Sequence, residues 1–79
     1  MKILFYGRLG ERIGREIELE MPAVSNVAEL RSALAGIYPD EAVELLQQSG
    51  ACVEDMIVND DHIIVGTGTV EFFPPLSGG

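Results

Sequence analysis

The residues that could do chemistry in this chain are few, and most of them stand alone. The single histidine, His62, follows two acids in a polar segment, which is typical of a solvated loop residue. The single cysteine, Cys52, lies in an apolar run, which favours a buried, inert thiol. There is no Cys/His cluster for structural zinc or an iron–sulfur cluster, so we expect no bound metal. None of these residues would run a reaction alone.

The end of the sequence, Gly78-Gly79, offers a different chemistry. A diglycine has no side chains, so it can enter a narrow channel that any Cβ would obstruct. ATP can activate a terminal carboxylate as an acyl-adenylate, after which sulfur or an amine can displace AMP. The alternative interpretation is a frayed end rich in small residues, and Gly-Gly alone does not decide between the two.

Length and composition limit the class of protein that could carry such a Gly-Gly end. A chain of 79 residues forms one domain and buries only roughly 60% of the surface that its unfolded form exposes. Its hydrophobic content of 47% excludes a disordered acidic chain. No apolar run approaches the roughly 20 residues of a membrane span, and the first residues lack a signal-peptide cleavage site. We therefore expect a cytoplasmic protein with no membrane partner.

The formal charge of −8 is unevenly placed. Residues 1–15 carry four bases and one acid, whereas residues 16–79 carry one base and 12 acids. A nucleic-acid partner needs a cationic surface that neutralises phosphates, so we expect none. The net negative charge is compatible with docking onto a basic partner, although ordinary solubility would also account for it.

Apolar β-forming runs and one alternating segment predict five strands, at residues 2–6, 16–20, 51–54, 56–58 and 70–73. In the alternating segment, Ile17 and Leu19 face a core, which predicts a half-exposed strand antiparallel to the first. Residues 7–14 include three glycines, which predicts a connection with one short helical turn around Leu9–Ile13.

Two helices are predicted in the middle of the chain. Asn26 and Glu29 form a capping-box pattern at the start of a helix over residues 27–36. Its apolar stripe consists of Val27, Leu30, Leu34 and Ile37. Acids at the start of residues 40–48 predict a second, shorter helix. The order of elements predicts an α+β, β-grasp domain over residues 1–76, in which one main helix packs across a mixed sheet. The final strand runs parallel beside the first, and residues 77–79 form a flexible tail.

Residues 70–79, Val-Glu-Phe-Phe-Pro-Pro-Leu-Ser-Gly-Gly, closely resemble the ending of the MoaD-type small subunits of molybdopterin synthase, ubiquitin-like sulfur carriers. The resemblance covers essentially the full chain, with further support from Leu4–Gly7, Glu11–Gly14 and Val27–Arg31. It departs at Gly66–Thr69, where the family has an acidic Gly-Asp turn, and at Val53–Asp55, where the family usually has an asparagine.

This resemblance implies a carrier mechanism. An E1-like adenylyltransferase would use ATP to adenylate Gly79, and a sulfur donor protein would convert the adenylate to a thiocarboxylate. The Gly78-Gly79 tail would then enter the large catalytic subunit of molybdopterin synthase, within a heterotetramer. There it would donate sulfur to a pyranopterin precursor to form the dithiolene. The large subunit would supply the catalytic side chains, and this chain would bind no cofactor of its own.

The partner interface is predicted partly from strand parity. If Glu71 faces water, Phe73 shares its face while Val70 and Phe72 point inward. The resemblance implies partner contacts at Tyr6, Ile57, Phe73, Pro74, Pro75, Leu76 and Ser77. The alternative for Tyr6 and Ile57 is that they belong to the core.

Other sulfur carriers and ubiquitin-like modifiers share the Gly-Gly chemistry, so other functions stay open at this point. One is a sulfur carrier for thiamine thiazole synthesis or tRNA thiolation. Another is a protein modifier, whose activated Gly79 forms an isopeptide bond with lysines of target proteins. A third is a non-covalent ubiquitin-like binding module, for which the end of the chain is irrelevant. The segment Phe72–Pro75 favours molybdopterin synthesis.

Overall fold

The computed structural model describes residues 1–65 and 68–75, over which ten short elements follow one another. They are β1 (Lys2–Phe5), α1 (Gly7–Ile13), β2 (Glu16–Glu18), β3 (Val24–Asn26), α2 (Val27–Ala35), α3 (Asp40–Gln48), β4 (Gly50–Val53), β5 (Met56–Val58), β6 (Ile63–Val65) and β7 (Thr69–Phe73). None of the helices in these segments has the length and apolar character that a membrane crossing requires.

The main sheet has five strands in the order β2-β1-β7-β4-β5. The last strand, β7, lies parallel to β1, with Ile3 opposite Val70 and Phe5 opposite Phe72. The pairs β1–β2, β4–β5 and β4–β7 are antiparallel. The predicted β-grasp arrangement is therefore confirmed, and it places the last strand between two neighbours in the middle of the sheet.

The core lies between one face of this sheet and the helices. The rings of Phe5 and Phe72 stack with centroids 5.9 Å apart, and the Tyr38 ring meets Phe5 edge-on at 6.4 Å. The predicted α2 is confirmed, including its capping box, in which the Glu29 N–H donates to Asn26 Oδ1 at 2.8 Å. Val27, Leu30 and Leu34 of the predicted apolar stripe are fully buried.

Two local predictions were wrong. Ile37 is exposed because α2 ends at Ala35, before the stripe reaches it. Residues 7–13 form a full helix, α1, because Leu9 is buried in the core and that burial outweighs the low helix propensity of Gly10. The second helix, predicted over residues 40–48, is confirmed as α3.

Two strands, β3 and β6, were not predicted. They pair with each other in a separate two-stranded sheet, with Ser25 opposite Ile64. Each has only three residues, and nearly forty residues of chain separate them, so neither produces a local pattern of its own. Ile64 and Ser25 are both buried, which fixes this small sheet against the core.

Candidate functional site

The end of β7 is the part of the fold that positions the chain toward Gly79. Because β7 pairs with β1 on one side and with β4 on the other, both backbone edges of the strand are held. Phe73 lies opposite Gly50, and a Cβ built on Gly50 would come within 2.6 Å of Phe73 Cζ. The missing side chain at Gly50 therefore makes room for the Phe73 ring.

A second glycine holds the next residue of the chain. Gly7 has a φ of +59°, a left-handed conformation that side chains disfavour, and the ring of Pro74 lies directly over it. The two glycines together fix Phe73 and Pro74 at the point where the chain leaves the sheet. Pro75 is exposed there, whereas Leu76, Ser77, Gly78 and Gly79 lie outside the described residues.

Strand parity divides the sheet as predicted. Val70 and Phe72 are buried against the helices, and Glu71 and Phe73 point to the opposite face. We call that opposite face the outer face; it consists of Tyr6, Cys52, Ile57, Glu71 and Phe73. The strand register places three of these residues side by side, because Glu71 lies opposite Cys52 and Cys52 lies opposite Ile57.

Three of the seven residues predicted to contact a partner, Tyr6, Ile57 and Phe73, lie on the outer face. Tyr6 is 46% exposed and Ile57 is 74% exposed, so the alternative that they are core residues is wrong. The Tyr6 N–H donates to the Phe72 carbonyl at 3.0 Å, which places Tyr6 beside Phe73 on the neighbouring strand. Ile57 lies two strands away from Phe73. Their contact with a partner remains a prediction.

The polar groups of the outer face are coupled. The Tyr6 hydroxyl donates to Glu71 Oε2 at 2.5 Å. This hydrogen bond raises the pKa of Tyr6, and smaller contributions come from desolvation and from the negative charges of Glu71 and Cys52. The phenol consequently stays protonated at neutral pH and holds the Glu71 carboxylate in place.

Cys52 is half-buried on the outer face and not in the core, so the predicted burial was too strong. Desolvation raises the pKa of its thiol, and the charges of Glu71 and Asp55 raise it further. A raised pKa keeps the group as the thiol at neutral pH, whereas the thiolate is the nucleophile. The environment of Cys52 thus gives it no enhanced nucleophilicity.

The other polar clusters do not assemble a reactive site. Within the described part of the chain, no three His, Cys, Asp or Glu side chains come close enough to bind a metal ion. His62, predicted as a solvated loop residue, is half-buried at a cavity of about 230 Å³ that Ile63 and Val65 also line. A cavity of about 490 Å³ between α1 and α3 contains the Arg12–Glu41 ion pair, at 2.9 Å.

Sequence reasoning missed two contributors to this region. Gly7 was grouped with a glycine-rich connection, because neither its positive φ nor its contact with Pro74 is visible in sequence. Gly50 was not singled out, because its contact with the Phe73 ring joins two strands that are distant in sequence.

Comparison with known proteins agrees with this geometry. The ThiS family model matches residues 3–79. The fold is similar to that in the crystal structure of SAMP1 from Haloferax volcanii, with a TM-score of 0.72 and 20% sequence identity. That alignment covers 99% of this chain and 97% of the other, and at such identity it shows the fold alone. No curated protein sequence matches the chain.

Proposed function

Because this chain belongs to the ThiS family of ubiquitin-like sulfur carriers, we propose that it carries sulfur for molybdopterin synthesis as a thiocarboxylate on Gly79. An E1-like partner uses ATP to convert the Gly79 carboxylate to an acyl-adenylate, with release of pyrophosphate. Sulfur from a donor protein, at the oxidation level of sulfide, then displaces AMP, so that a C–S bond forms as the C–O bond to phosphate breaks.

The thiocarboxylate delivers this sulfur inside the large catalytic subunit of a heterotetrameric molybdopterin synthase. The sulfur leaves the glycine for a pyranopterin precursor, and water restores the Gly79 carboxylate. A dithiolene contains two sulfur atoms, so each product consumes two thiocarboxylates. The large subunit provides acid–base side chains, and this chain provides the sulfur atom and the surface that docks.

The observation that carries the proposal is the fixed exit of the chain at the end of β7. Phe73 and Pro74 are seated over Gly50 and Gly7, four residues before the Gly78-Gly79 ending. Anchoring of Phe73 and Pro74 lowers the entropy that is lost when the residues after them enter a channel. The segment Phe72–Pro75 favours molybdopterin synthesis over thiamine or tRNA thiolation.

The outer face supports a docking role beside that exit. Tyr6 and Ile57 expose large apolar surfaces, and Phe73 lies on the same face of the sheet, at the end of β7. Exposed aromatic and aliphatic side chains next to a functional segment are typical of interface anchors. We therefore assign the outer face to contact with the large catalytic subunit.

Few amines on the chain itself compete for an activated Gly79. The sequence contains one lysine, Lys2, whose Nζ lies 3.7 Å from Glu16 Oε2. The Met1 amino group donates to the Leu19 carbonyl at 3.0 Å. Scarce amines limit self-acylation, which suits a carrier whose adenylate must wait for sulfur.

Intact-mass spectrometry tests the chemistry. The protein is incubated with its activating enzyme, ATP and a sulfide source, after its mass has established that Gly79 is the terminal residue. We expect a gain equal to the replacement of one oxygen by sulfur, and its loss when Gly79 is deleted. Lys2→Arg is the matched control and should gain sulfur normally. Adducts on other proteins would indicate a modifier, and an unchanged mass would contradict both covalent functions.

The pathway requires a second assay. The thiocarboxylated chain is mixed with the molybdopterin synthase large subunit and the pyranopterin precursor, or with a thiazole-forming enzyme and its substrates. We expect sulfur transfer in the first mixture. Transfer only in the second would replace molybdopterin synthesis by thiamine synthesis while leaving the carrier chemistry intact.

A further inference from the structure

The strand β5 forms an unprotected edge of the main sheet. Met56 and Ile57 are 64% and 74% exposed, and they lie on opposite faces of this strand. The other edge strand, β2, carries Glu16 and Glu18, the kind of charges that deter pairing with another chain. The three residues of β5 include neither a charge nor a proline, so they lack these common protections of an edge strand.

The backbone of Ile57 is available for pairing. Glu54 and Asp55, with φ of 52° and 64°, form the two-residue turn between β4 and β5. Backbone hydrogen bonds between Val53 and Met56 close such a turn. Because hydrogen-bonded and non-hydrogen-bonded pairs alternate along antiparallel strands, the next pair, Cys52 and Ile57, makes no backbone hydrogen bonds to each other. The N–H and C=O of Ile57 therefore point away from β4, toward the free edge.

Acids lie at both ends of this edge. Glu54 and Asp55 precede β5, and Asp61 follows it, all three exposed. Asp60 is paired with Arg31 at 3.0 Å, so its charge is largely compensated. After Arg31 the sequence has no further lysine or arginine. The apolar edge is thus bracketed by negative charge.

This charge pattern opposes the pairing of two copies. An antiparallel pair of β5 strands centred on Ile57 would bring Glu54 of one copy opposite Asp60 of the other, with Asp61 next to it. Like charges at facing positions of paired strands are destabilising. A strand from a different protein, with lysine or arginine at those positions, would instead meet complementary charge.

We propose that β5 is a docking edge for an extended segment of a partner protein, with β-branched residues at its centre and lysines or arginines at both ends. The segment adds a sixth strand to the sheet. Its backbone pairs with the N–H and C=O of Ile57, and its basic ends meet Glu54, Asp55 and Asp61. The inference goes beyond the proposed function, since it uses the backbone edge of β5, whereas the proposed docking to the large catalytic subunit uses the side chains of the outer face.

A defined peptide tests this edge. The probe is Lys-Lys-Thr-Val-Thr-Val-Thr-Lys-Lys, titrated into the full-length ¹⁵N-labelled chain, with a control peptide that has glutamate at every lysine position. We expect amide shifts centred on Ile57, slower hydrogen exchange of its N–H, and no response to the control peptide. Ile57→Pro removes the outward N–H donor together with the isoleucine side chain, so affinity should fall at least about tenfold, the equivalent of one hydrogen bond.

A charge-reversed variant tests the edge without proline, in case Ile57→Pro disturbs the fold. In Glu54→Lys/Asp61→Lys the backbone edge is kept, and the preference should move from the lysine peptide to the glutamate peptide. The proposal is overturned by shifts away from β5, by equal binding of both peptides, or by no binding at millimolar peptide. Sedimentation of the chain as a dimer that Ile57→Pro dissociates would also overturn it, in favour of self-pairing.

One variant distinguishes a failure of this proposal from a failure of the proposed function. Deleting Gly78-Gly79 should abolish thiocarboxylate formation and leave the binding of the lysine peptide unchanged.

Discussion

The ring of Pro74 lies over Gly7, where a Cβ would come within 2.7 Å of Pro74 Cγ. Gly7 begins α1, and Pro74 directly follows β7, so this contact joins the start of the first helix to the exit of the last strand. The φ of +59° at Gly7 turns the chain from β1 into α1 without placing an atom in the path of the proline. The position of the Pro74 ring at this exit thus depends on the absence of a side chain at Gly7.

Gly7→Ala should both destabilise the fold and misdirect the tail. A left-handed alanine costs roughly 1–2 kcal/mol, and displacement of Pro74 adds to that cost. We expect the free energy of unfolding in urea to fall by about 2 kcal/mol, and sulfur transfer to the large subunit to slow. Gly36→Ala is the control, because Gly36 has a φ of −77° and only an ordinary contact with the Ala33 carbonyl. An equal loss in both variants would contradict a special role for Gly7.

The Tyr6–Glu71 hydrogen bond predicts a loss of stability at high pH. The bond raises the pKa of Tyr6 above its ordinary value of about 10. Its stabilisation is therefore complete below pH 10 and is lost as the pH rises through the folded-state pKa. Phenolate absorbance can follow this, because the chain has two tyrosines and no tryptophan.

Comparison of variants isolates the Tyr6 titration. Tyr6→Phe leaves only Tyr38, whose pKa is raised by burial, so the difference from the parent protein reports Tyr6. Glu71→Gln should lower the Tyr6 midpoint, because the neutral amide is a weaker acceptor and carries no charge. A midpoint unmoved by Glu71→Gln would show that the hydrogen bond does not persist in solution.

Arg31 should be the most costly polar residue to replace. Its guanidinium donates to the carbonyls of Leu46 and Ser49, pairs with Asp60 at 3.0 Å, and lies 5.1 Å from the centroid of the Phe72 ring. Arg31→Met leaves the carbonyls at the end of α3 without this donor, and we expect a loss of about 2–4 kcal/mol in urea unfolding. Asp60→Asn should cost less than about 1 kcal/mol, since that carboxylate is half exposed. The reverse ranking would assign the stabilisation to the ion pair.

Two substitutions in the Glu54-Asp55 turn should stabilise the folded protein. Both residues adopt left-handed conformations, for which Asn-Gly is the preferred pair in a two-residue hairpin turn. Glu54→Asn/Asp55→Gly should raise the free energy of unfolding by about 1 kcal/mol. Glu54→Gln removes a charge without favouring the turn, and an equal gain from it would assign the effect to charge repulsion.

Phe73→Asp should weaken binding to the large catalytic subunit while the fold is kept, because Phe73 points out of the core. We expect a loss of about tenfold or more by isothermal titration calorimetry, as for an aromatic interface anchor. Val24→Asp is the matched control, since Val24 is 63% exposed on β3, in the separate two-stranded sheet. Unchanged affinity of Phe73→Asp would refute the interface assignment.

Much of the fold was predictable because its determinants are local. The Asn26–Glu29 capping box and the alternation around Ile17 are readable within a few residues, and both are confirmed. The parity of Glu71 correctly assigned its neighbours to inner and outer faces. Short strands such as β3 escape this reasoning, because their stability comes from pairing with distant residues and not from their own pattern.

The amino-acid sequence by itself determined the ThiS-type sulfur-carrier family, the position of the main helix and the Gly78-Gly79 pair. Periodicity, capping and motif spacing depend on residues that are close along the chain. Only the tertiary structure decided that Tyr6, Ile57 and Phe73 share one face, that Gly7 accommodates Pro74, and that β5 is an open edge. These relationships join residues far apart in sequence, and they exist only once strand order and register bring those residues together.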